Sequence, residues 1–144
     1  MKPEYFNLID TLTSIRKLRE KMFSQINRDL KDLSGSDFIA LSKICRSTDG
    51  MSMSQLSEIT GMSNALVTAT VDSLERKGLV ERTRGKDRRS YIVKLTQGGK
   101  RKCQEIEVVR MKSIEGFFDG MSEEDARELQ DALRKLNTLL KKYL

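Results

Sequence analysis

The stretch covering residues 53–96, MSQLSEITGMSNALVTATVDSLERKGLVERTRGKDRRSYIVKLT, narrows what this chain can fold into more than any other. Ser54 is placed to cap a short helix whose Leu56 and Ile59 face inward. Gly61 ends it, because a residue free to enter the left-handed region lets the chain reverse sharply. Ser63 then caps a second helix, about residues 64–77, with Val67, Val71 and Leu74 at i, i+4, i+7 as its buried stripe. Gly78 stops it. Residues 79–84 read as a strand, 85–88 as a turn and 89–95 as the returning strand, with Tyr91, Val93 and Leu95 on one face. Helix, tight turn, helix and basic hairpin make the pattern of a winged helix-turn-helix.

Charge is concentrated in the same place. The net charge is +6, and between residues 76 and 94 there are eight basic residues (Arg76, Lys77, Arg82, Arg84, Lys86, Arg88, Arg89, Lys94) against two acidic ones (Glu81, Asp87). That one stretch carries the whole excess, the electrostatic footprint of a polyanion binder. Arg82, Arg84, Lys86, Arg88 and Arg89 are candidate contacts at or near the hairpin tip, with Asp87 holding a neighbouring guanidinium through a charge-assisted bond. On the second helix, Ser63, Asn64, Ala65, Leu66, Thr68 and Ala69 lie off the buried stripe near the N-terminal end, where a recognition helix meets base edges. Asn64 suits adenine, and Thr68 suits a base edge or a thymine methyl.

The flanking segments read as long helices. Residues 4–31 carry apolar side chains at helical period, including Leu8, Leu12 and Ile15, over a length of roughly 40 Å. Ser36 is a candidate cap for a helix over 37–47, and Met51 to Met53 alternate like a small edge strand. Thr96 caps a helix over 97–118. Ser122 caps the last one, where Leu129, Leu133, Leu136 and Leu140 fall at 3-4 spacing, the seam of helix-to-helix packing. The expected fold class is mainly α with a small β-hairpin wing. It is one domain over 1–144, with a winged helix-turn-helix core (36–96) between dimerisation helices (1–35 and 97–144).

Other chemistries are excluded by composition. The chain has no histidine, which removes the commonest general base and metal ligand together. No glycine-rich phosphate loop or nucleophile motif is present, so an enzyme is not expected, nor is a cofactor or a metal. No apolar run approaches a membrane span, and residues 1–10 lack the apolar centre of a secretory signal, so a cytoplasmic location is expected. The two cysteines, Cys45 and Cys103, lack CxxC spacing and argue against a disulfide framework; Cys45 fits a small core residue.

The run Leu74-Glu75-Arg76-Lys77-Gly78-Leu79-Val80, followed by Asp87-Arg88-Arg89, then Val93-Lys94-Leu95-Thr96 and Gly99, resembles the MarR-type (multiple-antibiotic-resistance) regulators over essentially the whole chain. Ala69 stands where many relatives carry a basic or polar contact, and Thr60 and Thr70 where they carry an apolar residue. The resemblance implies that Arg89 enters a minor groove with Asp87 orienting it, and that residues 63–68 face a major groove. It implies an obligate homodimer built from the first and last two helices, acting on double-stranded DNA as a ligand-responsive repressor. It also implies a pocket between the dimer helices and the winged domain for a small anionic aromatic effector. Thiol-sensing relatives place their cysteine in the first helix, unlike Cys45 and Cys103. The rival expectation is a helical interaction module whose basic wing binds RNA or an acidic protein.

Overall fold

The structure is a computed structural model and describes residues 2–87 and 90–144. Along these residues run α1 (Pro3–Asp29), α2 (Gly35–Cys45), β1 (Met51–Ser52), α3 (Met53–Thr60), α4 (Asn64–Arg76), β2 (Val80–Arg84), β3 (Tyr91–Leu95), α5 (Gln97–Asp119) and α6 (Glu123–Tyr143). The chain divides into two compact units, Met1–Arg110 and Met111–Leu144.

In the first unit the core lies between α2, α3, α4 and the sheet, with Leu41, Ile44, Leu56, Val71, Leu74 and Val93 completely buried. The stripe expected on α4 is there, joined by a buried Thr70. α1 enters this core only by its C-terminal end: Ile26 and Leu30 are buried, and Phe23 meets Phe38 edge-on at 5.3 Å. Further up, Tyr5, Phe6, Leu8, Ile9, Leu12 and Ile15 stay exposed, Leu12 at 56%. The sheet is antiparallel in the order β1–β3–β2, pairing Met51 with Val93 on one side and Arg82 with Val93 on the other. The expected edge strand at Met51–Ser52 is thus present.

Two helix starts differ from the sequence reading. Ser34, not Ser36, caps α2: its Oγ accepts the Asp37 N–H at 3.1 Å, and the Asp37 carboxylate accepts the Ser34 N–H at 3.3 Å. Ser52, not Ser54, caps α3, exchanging the same pair of bonds with Gln55 at 3.1 and 2.9 Å. Each forms a capping box, and such caps contribute about 1 kcal/mol. Ile59 also departs from expectation. It is 53% exposed, so Leu56 is the one buried residue of α3, with Met53 packed partly buried against the core.

The reading of the cysteines as unpaired is overturned. Cys45, the last residue of α2, is bridged to Cys103 in α5, with Cα atoms 5.8 Å apart and a sequence separation of 58. Nearby, Lys102 Nζ lies 2.6 Å from Asp32 and 2.9 Å from Glu105. The hydrogen bond from Lys102 holds the Asp32 carboxyl below its ordinary value despite desolvation. Burial pulls the Lys102 ammonium down, but its bonds to Asp32 and Glu105 outweigh this and raise it.

The second unit holds the end of α5 and all of α6. Phe117 and Phe118 pack edge-on at 5.3 Å. Ser122 caps α6 by accepting the Asp125 N–H at 3.1 Å. Glu123, Glu124 and Asp125 lie in its first turn and Lys141 and Lys142 in its last, both favourable to the helix dipole. No residue of α6 is buried. Leu133 and Leu136 are 41% and 37% exposed, on a helix whose apolar stripe would ordinarily be covered. No helix among the described residues is long and apolar enough to cross a membrane.

Candidate nucleic-acid interface

α3 and α4 are joined by the three residues 61–63, and the turn is held from both sides. Gly61 takes the left-handed region at φ 73°, where a Cβ would be strained. Ser57 Oγ donates to the Met62 carbonyl at 2.7 Å, and the Met62 N–H donates to Thr60 Oγ1 at 3.3 Å. Thr60 therefore serves the turn. Ser63 Oγ accepts the Leu66 N–H at 3.2 Å and starts α4.

α4 has two distinct faces. Val67, Thr70, Val71 and Leu74 are buried, while Ser63, Asn64, Ala65, Leu66, Thr68 and Ala69 are all exposed. The exposed set comprises the six residues singled out in the sequence, gathered over the first two turns. Thr68, exposed, uses its hydroxyl proton in donating back to the Asn64 carbonyl at 3.0 Å.

The hairpin is anchored to α4 by Arg82. Its guanidinium forks over two carboxylates of the helix, Nη2 to Asp72 at 2.5 Å and Nη1 to Glu75 at 3.1 Å, and its backbone N–H also donates to Glu75 at 3.2 Å. Asp72 and Glu75 are three apart, so both project from one helix side toward β2. Met53, Thr68, Asp72, Arg82 and Tyr91 line the resulting cleft of about 410 Å³. Arg84, Lys86 and Asp87 are exposed further along the hairpin. Arg88 and Arg89, the other two expected tip contacts, lie outside the described residues.

Lys77 is engaged inward. Its Nζ reaches Asp37 Oδ2 at 2.5 Å, and Ser73 Oγ donates to the same oxygen at 3.1 Å. Asp37 is 1% exposed, so this carboxylate couples the start of α2 to the end of α4. The base of the hairpin closes on α5 through Thr96, whose Oγ1 donates to the Gly78 carbonyl at 2.6 Å and accepts the Gly99 N–H at 3.0 Å. A Cβ on Gly99 would lie 2.0 Å from the Leu79 carbonyl oxygen, so this close approach requires glycine.

A second constellation lies on α1, α2 and α5. Arg19, Lys43, Arg46 and Arg110 share a cavity of about 370 Å³ with Phe23, Phe38, Ile39 and Ile59. Arg110 pairs with Glu107 at 3.5 Å, whereas Arg19, Lys43 and Arg46 have no salt bridge among the described residues. Four cations around aromatic and aliphatic walls suit an anion with an apolar body. The sequence reading missed this group because its members come from three distant segments.

The Arg82 fork makes a prediction that separates positioning from direct contact. If Arg82 acts by setting the wing angle, Glu75→Ala weakens duplex binding by roughly 1 kcal/mol even though it removes a negative charge. A gain in affinity for Glu75→Ala, read by anisotropy, would mean instead that the freed guanidinium serves better on phosphate.

A capped helix-turn-helix followed by an anchored basic hairpin defines the class, a winged helix-turn-helix protein. Residues 31–90 match the sequence model of the MarR family. A MarR transcriptional regulator from Methanosarcina mazei Go1 shares 24% identity and a TM-score of 0.75, over 92% of this chain and 96% of that one. A MarR family protein from Bacillus stearothermophilus shares 22% identity and a TM-score of 0.78, over 98% and 99%. Streptococcus pneumoniae FabT, solved in complex with DNA, shares 28% identity and a TM-score of 0.71, over 97% and 99%. The chain shares the winged-helix fold of these proteins, and its central part matches the MarR family model.

Proposed function

We propose that this chain is a sequence-specific double-stranded DNA-binding transcriptional regulator, working as a homodimer on a pseudo-palindromic operator in the cytoplasm. The observation that carries the reading is the exposed N-terminal face of α4 beside a basic hairpin locked to the same helix. In this reading Ser63, Asn64, Ala65, Leu66, Thr68 and Ala69 read the major groove. Arg84, Lys86, Arg88 and Arg89 follow phosphate and minor groove, with Asp87 orienting its arginine neighbour and Arg82 holding the wing. FabT, a relative of the same fold, was solved with DNA.

The apolar stripes of α1 and α6 supply the homodimer. Leu8, Leu12, Ile15, Leu129, Leu133, Leu136 and Leu140 form the contact between copies, setting two recognition helices about one turn, ~34 Å, apart. Sedimentation tests it: Leu133→Asp with Leu136→Asp yields monomers, and intact dimers would remove α6 from the interface.

The effector in this reading is a small anionic arene, held by Arg19, Lys43, Arg46 and Arg110 over Phe23 and Phe38. The protein then acts as a ligand-responsive repressor. Selection from random duplexes tests both parts in one assay. It enriches a two-fold symmetric sequence, and benzoate added to that complex releases the duplex. Enrichment of nothing symmetric sinks the DNA reading and favours the RNA or acidic-protein alternative. A complex indifferent to benzoate and its ring-substituted relatives sinks the effector.

A further inference from the structure

Tyr91 is the first residue of β3 and stands opposite Arg84 in the register, two residues before Val93. Side chains two apart on a strand share a face, and so do residues directly opposite on the neighbouring strand. Tyr91 therefore lies on the same face as Val93, which is buried in the core, and as Arg82, whose guanidinium reaches Asp72 and Glu75 of α4. That is the face of the sheet turned toward α4. The core ends short of Tyr91, which remains 46% exposed. It lines the cleft of about 410 Å³ between helix and hairpin, together with Thr68 and Asp72 of α4. Its hydroxyl is not spent on any other described residue.

The two sides of this cleft meet different parts of a duplex in the DNA-binding reading above, on which this inference rests. Thr68 belongs to the outward face of α4, which enters a major groove, and the hairpin beyond Arg84 enters the adjacent minor groove. One sugar–phosphate strand separates two neighbouring grooves. With α4 on one side of it and the hairpin on the other, that strand passes over the cleft. The charges already there are paired with each other: Arg82 is held by Asp72 at 2.5 Å and by Glu75 at 3.1 Å. A phosphate gains little from a guanidinium so engaged. A neutral hydroxyl can meet it without breaking an ion pair.

We propose that Tyr91 is a phosphate-binding residue: its hydroxyl donates to a phosphate oxygen of the strand between the two grooves, and its ring packs on the adjoining deoxyribose. A contact of this kind carries no base information and instead fixes the register of the protein on the duplex. Tyr91 sits where helix and hairpin meet, so it refers both to one strand. The phenol is uncharged and displaces no counterion, in contrast to a lysine or arginine on phosphate.

The test compares wild type with Tyr91→Phe, which keeps the ring and removes only an exposed hydroxyl, so the two are expected to melt together. Anisotropy gives Kd on the selected duplex and on a scrambled one at several salt concentrations. The expected result is a loss of about tenfold on both duplexes alike, with the slope of log Kd against log salt unchanged. Single methylphosphonate linkages, stepped through one half-site of the selected duplex, then locate the partner. At one linkage the substitution weakens wild type and leaves Tyr91→Phe unaffected, the non-additivity of two groups in contact. An unchanged Kd for Tyr91→Phe overturns the proposal. So does a loss confined to the selected duplex, which would make Tyr91 a base contact, or a scan in which no linkage couples to the hydroxyl. If wild type binds no duplex, the DNA reading fails and this assignment with it. Wild-type binding that Tyr91→Phe leaves untouched removes the Tyr91 assignment alone.

Discussion

Reducing the Cys45–Cys103 bridge lowers the free energy of unfolding by about 4 kcal/mol, the largest single effect expected in this chain. The bridge closes a loop of 58 residues, and a cross-link of that span removes much of the conformational freedom of the unfolded state. Both half-cystines end or enter helices that pack in the first unit, so the native fold does not depend on the bond to bring them together. Urea unfolding with and without dithiothreitol measures the difference. The midpoint falls on reduction, and the slope rises because the open denatured chain exposes more surface. Coincident curves would show that the bridge constrains nothing in the unfolded chain.

Lys77→Met is the second large effect, a loss of about 3 kcal/mol. The substitution keeps the aliphatic stem and removes the cation facing Asp37, a carboxylate only 1% exposed. What remains for Asp37 Oδ2 is the Ser73 hydroxyl at 3.1 Å and the Ser34 N–H at 3.3 Å, too little to stabilise a buried charge. The figure sits at the low end for a broken buried pair because the lysine side is 36% exposed. Adding Asp37→Asn to Lys77→Met recovers much of the loss, since a neutral amide still accepts the cap bond. If Lys77→Met melts with the wild type, the pair is a surface contact and the coupling between α2 and α4 lies elsewhere.

The central helix pair and the hairpin were readable because their signals are local: the Ser63 cap, two terminating glycines and a three-residue apolar stripe, all within residues 53–96. Where the reading slipped, the deciding partner was a few residues or many residues away. Ser34 and Ser36 are equally able to accept an N–H, but only Ser34 has an acid three residues on, Asp37, to return the bond. Ser52 beats Ser54 for the same reason, through Gln55. Arg82 looked like one more wing cation. Its fork exists because Asp72 and Glu75 fall on the side of α4 that meets β2, a tertiary fact. Lys77 likewise belonged to the basic run until folding placed Asp37 beside it. The cysteine bridge joins residues that no local pattern connects. The six outward residues of α4 were legible, since a helix with a known buried stripe leaves its opposite face determined.

The central claim is that α4 reads base sequence with the hairpin beside it. Fluorescence anisotropy of the selected duplex against a scrambled duplex of equal length, at several salt concentrations and with Asn64→Ala alongside, tests it most directly. The account predicts two chains per duplex and a preference for the selected sequence of about a thousandfold or more. It also predicts a loss of roughly 1–3 kcal/mol for Asn64→Ala on that sequence alone. Equal, weak and steeply salt-dependent binding to both duplexes, unchanged by Asn64→Ala, would contradict it and leave only a basic patch that meets phosphate.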